Sequence, residues 1–443
     1  MGHRLAAFLS AAMALAAGSL AQPVQSWVRT RDLGLYDRTA GVAVDSLGNL
    51  YIVGDRQTAS GTDIVLLKYS NLGTLLWTRI YNGPQGKPDS GYSVATDGQN
   101  NVLVAGNIGK NNMSDAVLLK YSASGSLLFA RTYSQTEPSL DGFTHVAVDS
   151  AANSYVAGTT RRFGSTTALD TVLRKYSPSG AILWTRLFTS AGESNDRPRA
   201  LVMGPGGTPV VAIASSGGFE RTYVLKLNPS TGASTFQKLH GTSSVQAIFG
   251  GLSLAPNGDV ALCVSERFGE TGQRVALMRW AFANGAVLMS PKYWTAGAFG
   301  PDYYQILGLA SDSTGGVRAW IVAAKYTIGA YESVARLISM SSAGAVQWER
   351  ELVPSNQGAN YGVLAIDHLQ NVYAWATLST SPRRNRIWKV SQTGVQVWVL
   401  ELNRPAPRGT QGWQMVRRSN GELFLGGVEF PVLNDQRADF IVY

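Results

Sequence analysis

Cysteine and histidine are almost absent from this chain of 443 residues, which contains one cysteine and four histidines. A single cysteine excludes an internal disulfide, and with it the small disulfide-stabilised scaffolds common among secreted proteins. Cys263 lies in the apolar run 260–264, where it is expected to act as a small hydrophobic side chain. The histidines, His3, His145, His240 and His368, are too far apart to form a zinc-binding pair. We therefore expect no metal site.

Charged residues are also scarce, at 15% of the chain against about 25% in a typical globular protein. Glycine is abundant, with 48 residues, and the hydrophobic fraction of 45% is that of an ordinary folded protein. This balance indicates short strands joined by many tight turns. The formal net charge of +9 is compatible with a polyanionic partner, but the distribution of the basic residues matters more than their sum.

Hydrophobic runs long enough to span a membrane are missing. Residues 1–21 begin with His3 and Arg4, continue with an apolar run and close on Ser19-Leu20-Ala21, which is typical of a cleaved signal peptide. That run is shorter than the roughly 20 residues that a transmembrane helix needs, and no other run approaches this length. We predict a signal peptide over 1–21, no transmembrane or lipid anchor, and a secreted or periplasmic mature protein over 22–443.

A repeat of roughly 50 residues organises the mature sequence. Residues 41–54 are echoed by 93–106 and 146–158, and each copy holds two β-branched apolar runs around an Asp/Gly/Asn turn, as in an antiparallel hairpin. A second hairpin follows in each unit, with a glycine four residues before a large apolar side chain. These pairs are Gly73/Trp77, Gly125/Phe129, Gly180/Trp184, Gly232/Phe236, Gly285/Met289, Gly344/Trp348 and Gly394/Trp398.

The two ends of the chain complete the count of units. Units begin near residues 41, 91, 142, 197, 247, 303, 361 and 412, and the last one stops after its third strand. The segment 26–29 resembles the fourth strand at 76–79, so it can complete the last unit. The sequence thus predicts an all-β fold, a single β-propeller of eight four-stranded antiparallel blades in which the N-terminal strand closes the ring. Seven blades is the alternative, because the copy at 281–294 is weak.

The repeat resembles that of the bacterial seven-bladed β-propeller (SBBP-type) family in its Asp45, Gly48-Asn49, Lys68-Tyr69 and Trp77 positions. The resemblance covers nearly the whole mature chain and is strongest over 41–190. It implies an extracellular or envelope propeller and supplies no catalytic residues. A weaker similarity to the PQQ-like repeats of quinoproteins would imply a calcium-bound cofactor and an acidic base. The sequence offers candidates for neither, so we expect no cofactor.

Basic residues recur at fixed positions of the third and fourth strands of the unit. We predict that these strands lie at the outside of the blades, where the cations block strand addition while their charged ends stay in water. Binding of a polyanion at these positions is the less favoured interpretation. The positions are Lys68, Lys120, Lys175, Lys226, Arg279, Arg336 and Lys389 in the third strand, and Arg29, Arg79, Arg131, Arg186 and Arg350 in the fourth.

Aspartates also recur about once in each unit. Because Asp side chains bond to nearby backbone in turns, and one acid per blade cannot gather around one ion, we predict a structural role for them and no metal binding. Asp45, Asp97, Asp149, Asp312 and Asp367 begin the first turn, and Asp63, Asp115, Asp170 and Asp439 open the third strand.

The candidate binding residues lie in connections that we predict to be long loops on one face, at 55–62, 159–169, 324–332, 377–385 and 403–411, and in similar segments. Such loops on a rigid frame commonly carry binding sites. Several place arginine, which suits carboxylate or phosphate, beside an aromatic ring that can stack on a sugar. The candidates are Arg161, Arg162, Phe163, Phe219, Arg221, Arg267, Phe268, Arg383, Arg384, Arg386 and Trp388.

These features predict a monomeric, exported binding or scaffolding module for an envelope or extracellular protein or polysaccharide. Nucleic acid is not expected as a partner, because an exported protein seldom meets a genome. A propeller enzyme is the alternative, either a quinoprotein-like dehydrogenase or a polysaccharide-active hydrolase or lyase. No set of residues with catalytic spacing supports it.

Overall fold

The protein is a β-propeller in the computed structural model, which contains eight antiparallel sheets of four strands each. We call the strands of one blade A to D, from the innermost outward. The structure describes residues 29–31, 37–111, 113–135, 140–161, 164–165, 168–192, 194–269, 272–295, 303–327, 330–354, 357–378, 380, 384–402, 409–417, 423–430 and 439–442. The predicted signal peptide lies outside these residues.

The first strand, β1 (Arg29–Arg31), belongs to the last blade, and blade 1 begins with the second strand. Blade 1 comprises β2 (Asp37–Val44), β3 (Leu50–Thr58), β4 (Gly61–Tyr69) and β5 (Leu75–Tyr81). Blade 2 comprises β6 (Ser90–Thr96), β7 (Val102–Lys110), β8 (Met113–Tyr121) and β9 (Leu127–Tyr133). Blade 3 comprises β10 (Gly142–Val148), β11 (Ser154–Arg161), β12 (Leu169–Tyr176) and β13 (Ile182–Phe188). Blade 4 comprises β14 (Asn195–Gly204), β15 (Thr208–Ser216), β16 (Glu220–Leu227) and β17 (Ser234–His240), with a 3-10 turn (Pro205–Gly207) between its first two strands.

The second half of the ring has the same four-stranded pattern. Blade 5 comprises β18 (Val245–Leu254), β19 (Val260–Phe268), β20 (Gly272–Trp280) and β21 (Val287–Trp294). Blade 6 comprises β22 (Tyr303–Ser311), β23 (Val317–Thr327), β24 (Ala330–Met340) and β25 (Val346–Val353). Blade 7 comprises β26 (Ala359–Ile366), β27 (Val372–Leu378), β28 (Arg384–Val390) and β29 (Gln396–Leu402). Blade 8 comprises β30 (Gly409–Arg417), β31 (Leu423–Phe430), β32 (Asp439–Val442) and β1.

The blades form a closed ring around a central channel. Each innermost strand contacts the innermost strand of the next blade, and β30 of blade 8 contacts β2 of blade 1. The N-terminal strand β1 pairs antiparallel with β32, with Arg29 opposite Val442 and Arg31 opposite Phe440. The chain ends therefore close the ring by backbone hydrogen bonding, and the predicted propeller with its N-terminal closing strand is confirmed.

Each innermost strand carries a β-bulge. The bulge lies five residues before the A–B turn in blade 1, at Ala40, and seven residues before it in blade 7, at Asn360. A bulge bends and twists a strand locally. Its repetition in all eight sheets fits the need of each inner strand to turn at the channel wall.

The core lies between successive blades. The second strands read as continuous apolar runs, such as Leu50 to Val53 in β3, because both of their faces are covered. One cluster joins Tyr51 and Val53 of blade 1 to Val104 and Val117 of blade 2, and similar clusters follow round the ring. Burial of apolar surface between neighbours thus stabilises each blade only in the presence of the next.

The predicted structural role of the turn aspartates is confirmed. In blade 1 the carboxylate of Asp45 accepts hydrogen bonds from the backbone N–H groups of Leu47 and Asn49 at 3.0 and 2.8 Å. The hydroxyl of Tyr51 donates to the same side chain at 3.1 Å. Asp149 and Asp367 repeat these contacts in blades 3 and 7. The aspartate therefore closes the A–B turn and anchors the start of strand B.

The prediction that the third-strand cations stay in water is wrong. Lys120 is only 3% exposed, and its Nζ lies 2.9 Å from Asp97 Oδ2 in its own blade. It also donates to the carbonyl of Pro178, in the C–D turn of the next blade, at 3.1 Å. Burial raises the pKa of Asp97, but the hydrogen bonds from Asn101 and Lys120 outweigh it and hold that pKa below its usual value. Strand C is covered by strand D, so its cations face the neighbouring blade and not solvent.

The same contact crosses five consecutive blade boundaries. The cation of strand C donates to a carbonyl of the following C–D turn in each case, and we call this contact the turn latch. The pairs are Lys68 with Ala123, Lys120 with Pro178, Lys175 with Pro229, Lys226 with Phe282 and Arg279 with Ser342. Arginines of strand D add further bonds to glycine carbonyls of these turns, namely Arg79 to Gly125, Arg131 to Gly180 and Arg350 to Gly394.

The repeated glycine and aromatic residue also meet across the blade boundary. The indole Nε1 of Trp184 donates to the carbonyl of Pro229 in the next C–D turn at 3.1 Å. A Cβ on Gly232, in that same turn, would lie 2.7 Å from the Trp184 ring. Gly232 also has a φ of +71°, a conformation that other residues rarely adopt. Glycine is needed here both for the turn and for the close approach of the ring.

We expect Trp184→Ala to lower the free energy of unfolding by about 3–5 kcal/mol, because the ring is 7% exposed and packed between two blades. Gly232→Ala should be destabilising as well. The double variant should lose less free energy of unfolding than the two single variants lose together, because removing the ring makes room for the new methyl group. Urea denaturation of the four proteins measures this coupling.

Gly206→Ala is the matched control for that cycle, since Gly206 has a similar φ of +67° but no atom within 4 Å of a built Cβ. Gly206→Ala should lower the free energy of unfolding by on the order of 1–2 kcal/mol, the cost of placing alanine at a positive φ. This loss should add to that of Trp184→Ala. Strict additivity of Gly232→Ala with Trp184→Ala would contradict the assigned contact.

Ring closure gives a second prediction. Removing residues 22–32 deletes β1 and leaves β32 as an unpaired outer edge of a three-stranded blade. We expect a loss of several kcal/mol or aggregation, measured by thermal unfolding and size-exclusion chromatography. Removing only residues 22–26 retains β1 and is the control. An unchanged melting temperature in the longer deletion would show that β1 does not close the ring.

Candidate functional site

The two faces of the ring differ in their connections. The A–B and C–D turns on one face are tight, such as the four-residue turns closed by Gly48 N–H to Asp45 O and Gly73 N–H to Ser70 O, both at 3.0 Å. The B–C and D–A connections emerge on the opposite face, which we call the variable face. Sites that differ between blades can arise only where the connections differ, so the variable face is the candidate binding surface.

Two of the predicted long loops are strands instead. Residues 55–62 continue β3 and β4 to a two-residue turn between Thr58 and Gly61, and in blade 6 the pairing of β23 with β24 extends to Thr327 and Ala330. The polar composition of these segments suggested loops, but pairing with the neighbouring strand satisfies their backbone groups and extends the hairpins. In blade 7, β27 and β28 are separated by residues 379–383.

Buried aspartates, which the sequence analysis did not single out, hold the D–A connections. Asp89, Asp141 and Asp196 are almost fully buried at the start of strand A in blades 2 to 4. Each accepts a hydrogen bond from the backbone N–H six residues earlier, from Gly83, Gln135 and Ser190 respectively. The spacing of 52 to 55 residues between these acids was the available signal. They make the variable face rigid in this arc.

The candidate residues of blades 3 and 7 do not form one patch. Arg161 ends β11 in blade 3, whereas Arg384 and Arg386 lie on β28, on the opposite side of the eight-membered ring. Both arginines of blade 7 pair with Glu401, at 2.9 and 2.6 Å. One carboxylate therefore compensates half of their charge within the blade.

Trp388 is not a surface residue, which corrects its assignment as a sugar-stacking side chain. It is 2% exposed and packs edge to face against Trp320 of the neighbouring blade, with ring centroids 5.4 Å apart. Trp388 lies on the same face of β28 as Arg384 and Arg386 but further from the variable face, where blade 6 covers it. Arg162, Phe163 and Arg383 lie outside the described residues.

The candidates of blades 4 and 5 do lie near each other. Phe219 and Arg221 flank the B–C connection of blade 4, and Arg267 and Phe268 end strand B of blade 5. The two blades are adjacent, and Thr222 of blade 4 donates to the carbonyl of Ala247 in blade 5 at 2.9 Å. The rings of Phe219 and Phe268 are exposed on this surface.

A cluster of charged side chains that the sequence analysis missed lies at the same boundary. Glu266 of β19 is buried, and its two carboxylate oxygens contact His240 Nε2 of blade 4 at 2.6 Å and Arg274 Nε of β20 at 2.5 Å. Burial raises the pKa of Glu266, but the hydrogen bonds from His240 and Arg274 hold it below its usual value. Glu266 therefore stays ionised at neutral pH and positions both neighbouring side chains.

Arg274 is the centre of this site because aromatic rings cover its guanidinium. Its Cζ lies 3.5 Å from the ring centroid of Tyr293 and 4.9 Å from that of Phe268. Tyr293 is 51% exposed and Phe268 36%. Only Nε of Arg274 is bonded within the described chain, so both Nη groups remain as donors. We call the set His240, Glu266, Phe268, Arg274 and Tyr293 the rim cleft.

The rim cleft combines the two features that bind an acidic sugar. Exposed aromatic faces stack on the C–H surface of a pyranose ring, and a guanidinium held in place by a carboxylate donates a fork of N–H groups to a carboxylate or sulfate. Sequence reasoning found Phe268 but not its partners, because they come from three other strands on two blades.

Other polar side chains lie on and beside the innermost strands of blades 1 to 3. Arg38 Nη2 lies 2.8 Å from Asp55 Oδ2, and its Cζ is 5.6 Å from the Tyr92 ring centroid. Burial raises the pKa of Asp55 to about 6 despite the charge of Arg38. In blade 3, His145 Nδ1 lies 2.9 Å from Thr144 Oγ1, and burial lowers the pKa of His145 to about 4.

The described residues contain no group of three or more His, Cys, Asp or Glu side chains placed to hold a metal ion. Among them there is also no helix with the length and apolar character needed to cross a membrane.

No protein-family model and no curated protein sequence matches this chain. Solved structures with a similar fold include quinohemoprotein alcohol dehydrogenase ADHIIG from Pseudomonas putida HK5, at TM-score 0.53 and 11% identity over 94% of this chain and 75% of that one. Polysaccharide lyase Uly1 has TM-score 0.53 and 11% identity over 93% and 91%. Chaetomium thermophilum Sqt1 has TM-score 0.55 and 11% identity over 92% and 95%.

These likenesses support the propeller repeat architecture and nothing beyond the fold. At 11% identity, a dehydrogenase, a lyase and a third protein are about equally similar to this chain. Function differs between them while the fold is shared, so the function of this chain must be argued from its own residues.

His145 gives a prediction for the pH dependence of stability. Because its pKa falls from 6.5 in the unfolded chain to about 4 in the folded protein, the unfolded chain binds a proton first as the pH falls. The stability that neutral His145 contributes is complete above pH ~6.5 and lost between there and pH ~4, by up to about 3 kcal/mol. We expect His145→Gln to flatten this part of the stability profile, measured by urea denaturation at several pH values.

The matched control is His368→Gln, because His368 is exposed in the A–B turn of blade 7. That variant should keep the slope of the wild-type protein between pH 4 and 6.5. Identical slopes for wild type and His145→Gln would show that His145 ionises normally in the folded protein.

Proposed function

We propose that this chain is an exported β-propeller that binds an acidic polysaccharide of the envelope or extracellular space on its variable face, and so acts as a binding or scaffolding module. The predicted signal peptide and the resemblance of the repeat to the SBBP-type family support the location. The placement of unpaired arginine donors beside exposed rings at the rim cleft supports the ligand class.

The observation that carries this proposal is the state of Arg274. Its side chain is fixed by Glu266 and sandwiched by Phe268 and Tyr293, yet two of its three nitrogens have no partner in the described chain. A guanidinium held in one orientation loses little entropy when it binds a planar carboxylate. A purely structural arginine would use these donors within the protein.

The surroundings of the cleft add positive charge. Arg267 is exposed, and neither it nor Arg221 forms an ion pair with a described residue. Such charges increase the local concentration of a polyanion and make its binding salt-dependent over a screening length of ~8 Å. Because both carboxylate oxygens of Glu266 are bonded, one to His240 and one to Arg274, the rim cleft is better suited to binding than to acid–base chemistry.

We expect the wild-type protein to be retained on immobilised polyuronate at low salt, less at high salt, and not on a neutral glucan. Arg274→Gln should weaken binding about tenfold or more, as expected for a lost charged hydrogen bond of ~1.5–3 kcal/mol. Tyr293→Ala should also weaken binding, whereas Tyr293→Phe should retain it because stacking needs only the ring. Affinity chromatography and calorimetric titration measure these differences.

Arg384→Gln is the control, because it removes one cation from the same face where Glu401 already compensates it. This variant should bind like the wild type. Equal retention of Arg274→Gln, Tyr293→Ala and wild type at every salt concentration would reject the rim cleft, and retention on envelope proteins alone would indicate a protein partner.

A further inference from the structure

The innermost strands carry few charged side chains, and those of blades 2, 5, 6 and 7 contain none. Among the innermost-strand side chains that the structure describes, the charged ones are Arg38, Arg197, Arg199 and Asp196. Two of the arginines therefore share one strand, β14 of blade 4.

Arg197 and Arg199 are both exposed although they lie on an innermost strand. The strand is flanked by β10 and β18 of the adjacent blades, so these two side chains, in its first half, open toward the end of the channel at the variable face. Arg199 is the bulged residue of this strand, between the paired Pro198 and Ala200. Residues two apart along a strand lie on the same face, so Arg197 and Arg199 are neighbours, and the bulge bends the strand at Arg199.

Neither guanidinium has an ion pair or hydrogen bond with a described residue. Asp196, the acid next to them in sequence, is fully buried and binds the N–H and hydroxyl of Ser190 at 2.6 Å each. Arg38, across the channel wall, is already compensated by Asp55. Two neighbouring cations without a counter-charge repel each other, and an anion between them removes that cost.

His145 supports the position of Arg199. The same place in strand A holds a small residue in blades 1, 2, 4, 5 and 6, namely Gly41, Ser93, Ala200, Gly251 and Gly308. In blade 3 the imidazole fills it and forms a hydrogen bond with the backbone of Arg199. This blade boundary thus differs from those of blades 1, 2, 4, 5 and 6 in a way that holds the bulged arginine in place.

We propose that the channel beside β14 is a second binding site, separate from the rim cleft, in which Arg197 and Arg199 together hold an oxyanion: a carboxylate, phosphate or sulfate group. Paired guanidinium forks match the planar or tetrahedral oxygens of these groups. The group belongs either to a free small anion or to a unit of an acidic polymer that enters the channel.

The test is calorimetric titration of the full mature chain with inorganic phosphate and with malonate, at an ionic strength held constant with chloride. We expect saturable binding of one anion per chain, weakened about tenfold or more by Arg197→Gln and by Arg199→Gln. Arg186→Gln, on the outermost strand of blade 3, removes the same charge outside the channel and should leave the affinity unchanged. Circular dichroism of each variant verifies folding.

A second experiment adds a short uronate oligosaccharide to the protein with phosphate bound. If it displaces phosphate from the wild type and equally from Arg274→Gln, the anionic group is that of a polymer in the channel; if phosphate binds without being displaced, it is a free anion. Both results support the site independently of the rim cleft. Absence of saturable binding of all three probes, or wild-type affinity in both Arg197→Gln and Arg199→Gln, would overturn it.

Discussion

The contact between the C–D turn of one blade and the third strand of the blade before it is the constraint on which the rest of the structure depends. A buried lysine or arginine, compensated by an aspartate of its own blade, donates to a carbonyl of the neighbouring turn. A buried cation without these partners would be strongly destabilising, so the blades must meet in one register. The aromatic ring of strand D and the glycine of the same turn add the close packing.

This constraint explains why the repeat varies on one face only. Residues of the latch and of the A–B turn recur because they contact the neighbouring blade, whereas the B–C and D–A connections are held by their own strands and by the buried aspartates of blades 2 to 4. A ring fixed in this way holds side chains of different blades at constant distances. The rim cleft and the arginines of β14 can therefore be pre-organised for anions although they come from several strands.

The repeat, the hairpins, the turn aspartates and the closing strand could all be predicted from the chain, because they depend on local periodicity and turn chemistry. The burial of the repeated cations could not be predicted, because the same Lys-Tyr pattern is compatible both with an exposed strand edge and with a lysine buried in the turn latch. The burial of Trp388 could not be predicted either: it shares a strand face with the polar Arg384 and Arg386, but blade 6 covers only its end of the strand. Of the five residues of the rim cleft, only Phe268 was identified from the sequence as a candidate binding residue.

The sequence by itself determined an all-β ring of four-stranded units, because it repeats two apolar hairpins with Asp, Gly and Asn turns at a period of roughly 50 residues and its first strand can complete the last unit. Tertiary structure alone decided which charges are compensated. Arg386 forms an ion pair with Glu401 and Lys120 with Asp97, whereas Arg197 and Arg199 form none with a described acid. Nothing in the sequence distinguishes these cations from one another. Pairing depends on distances between blades, and these are set by packing across the ring and not by separation along the chain.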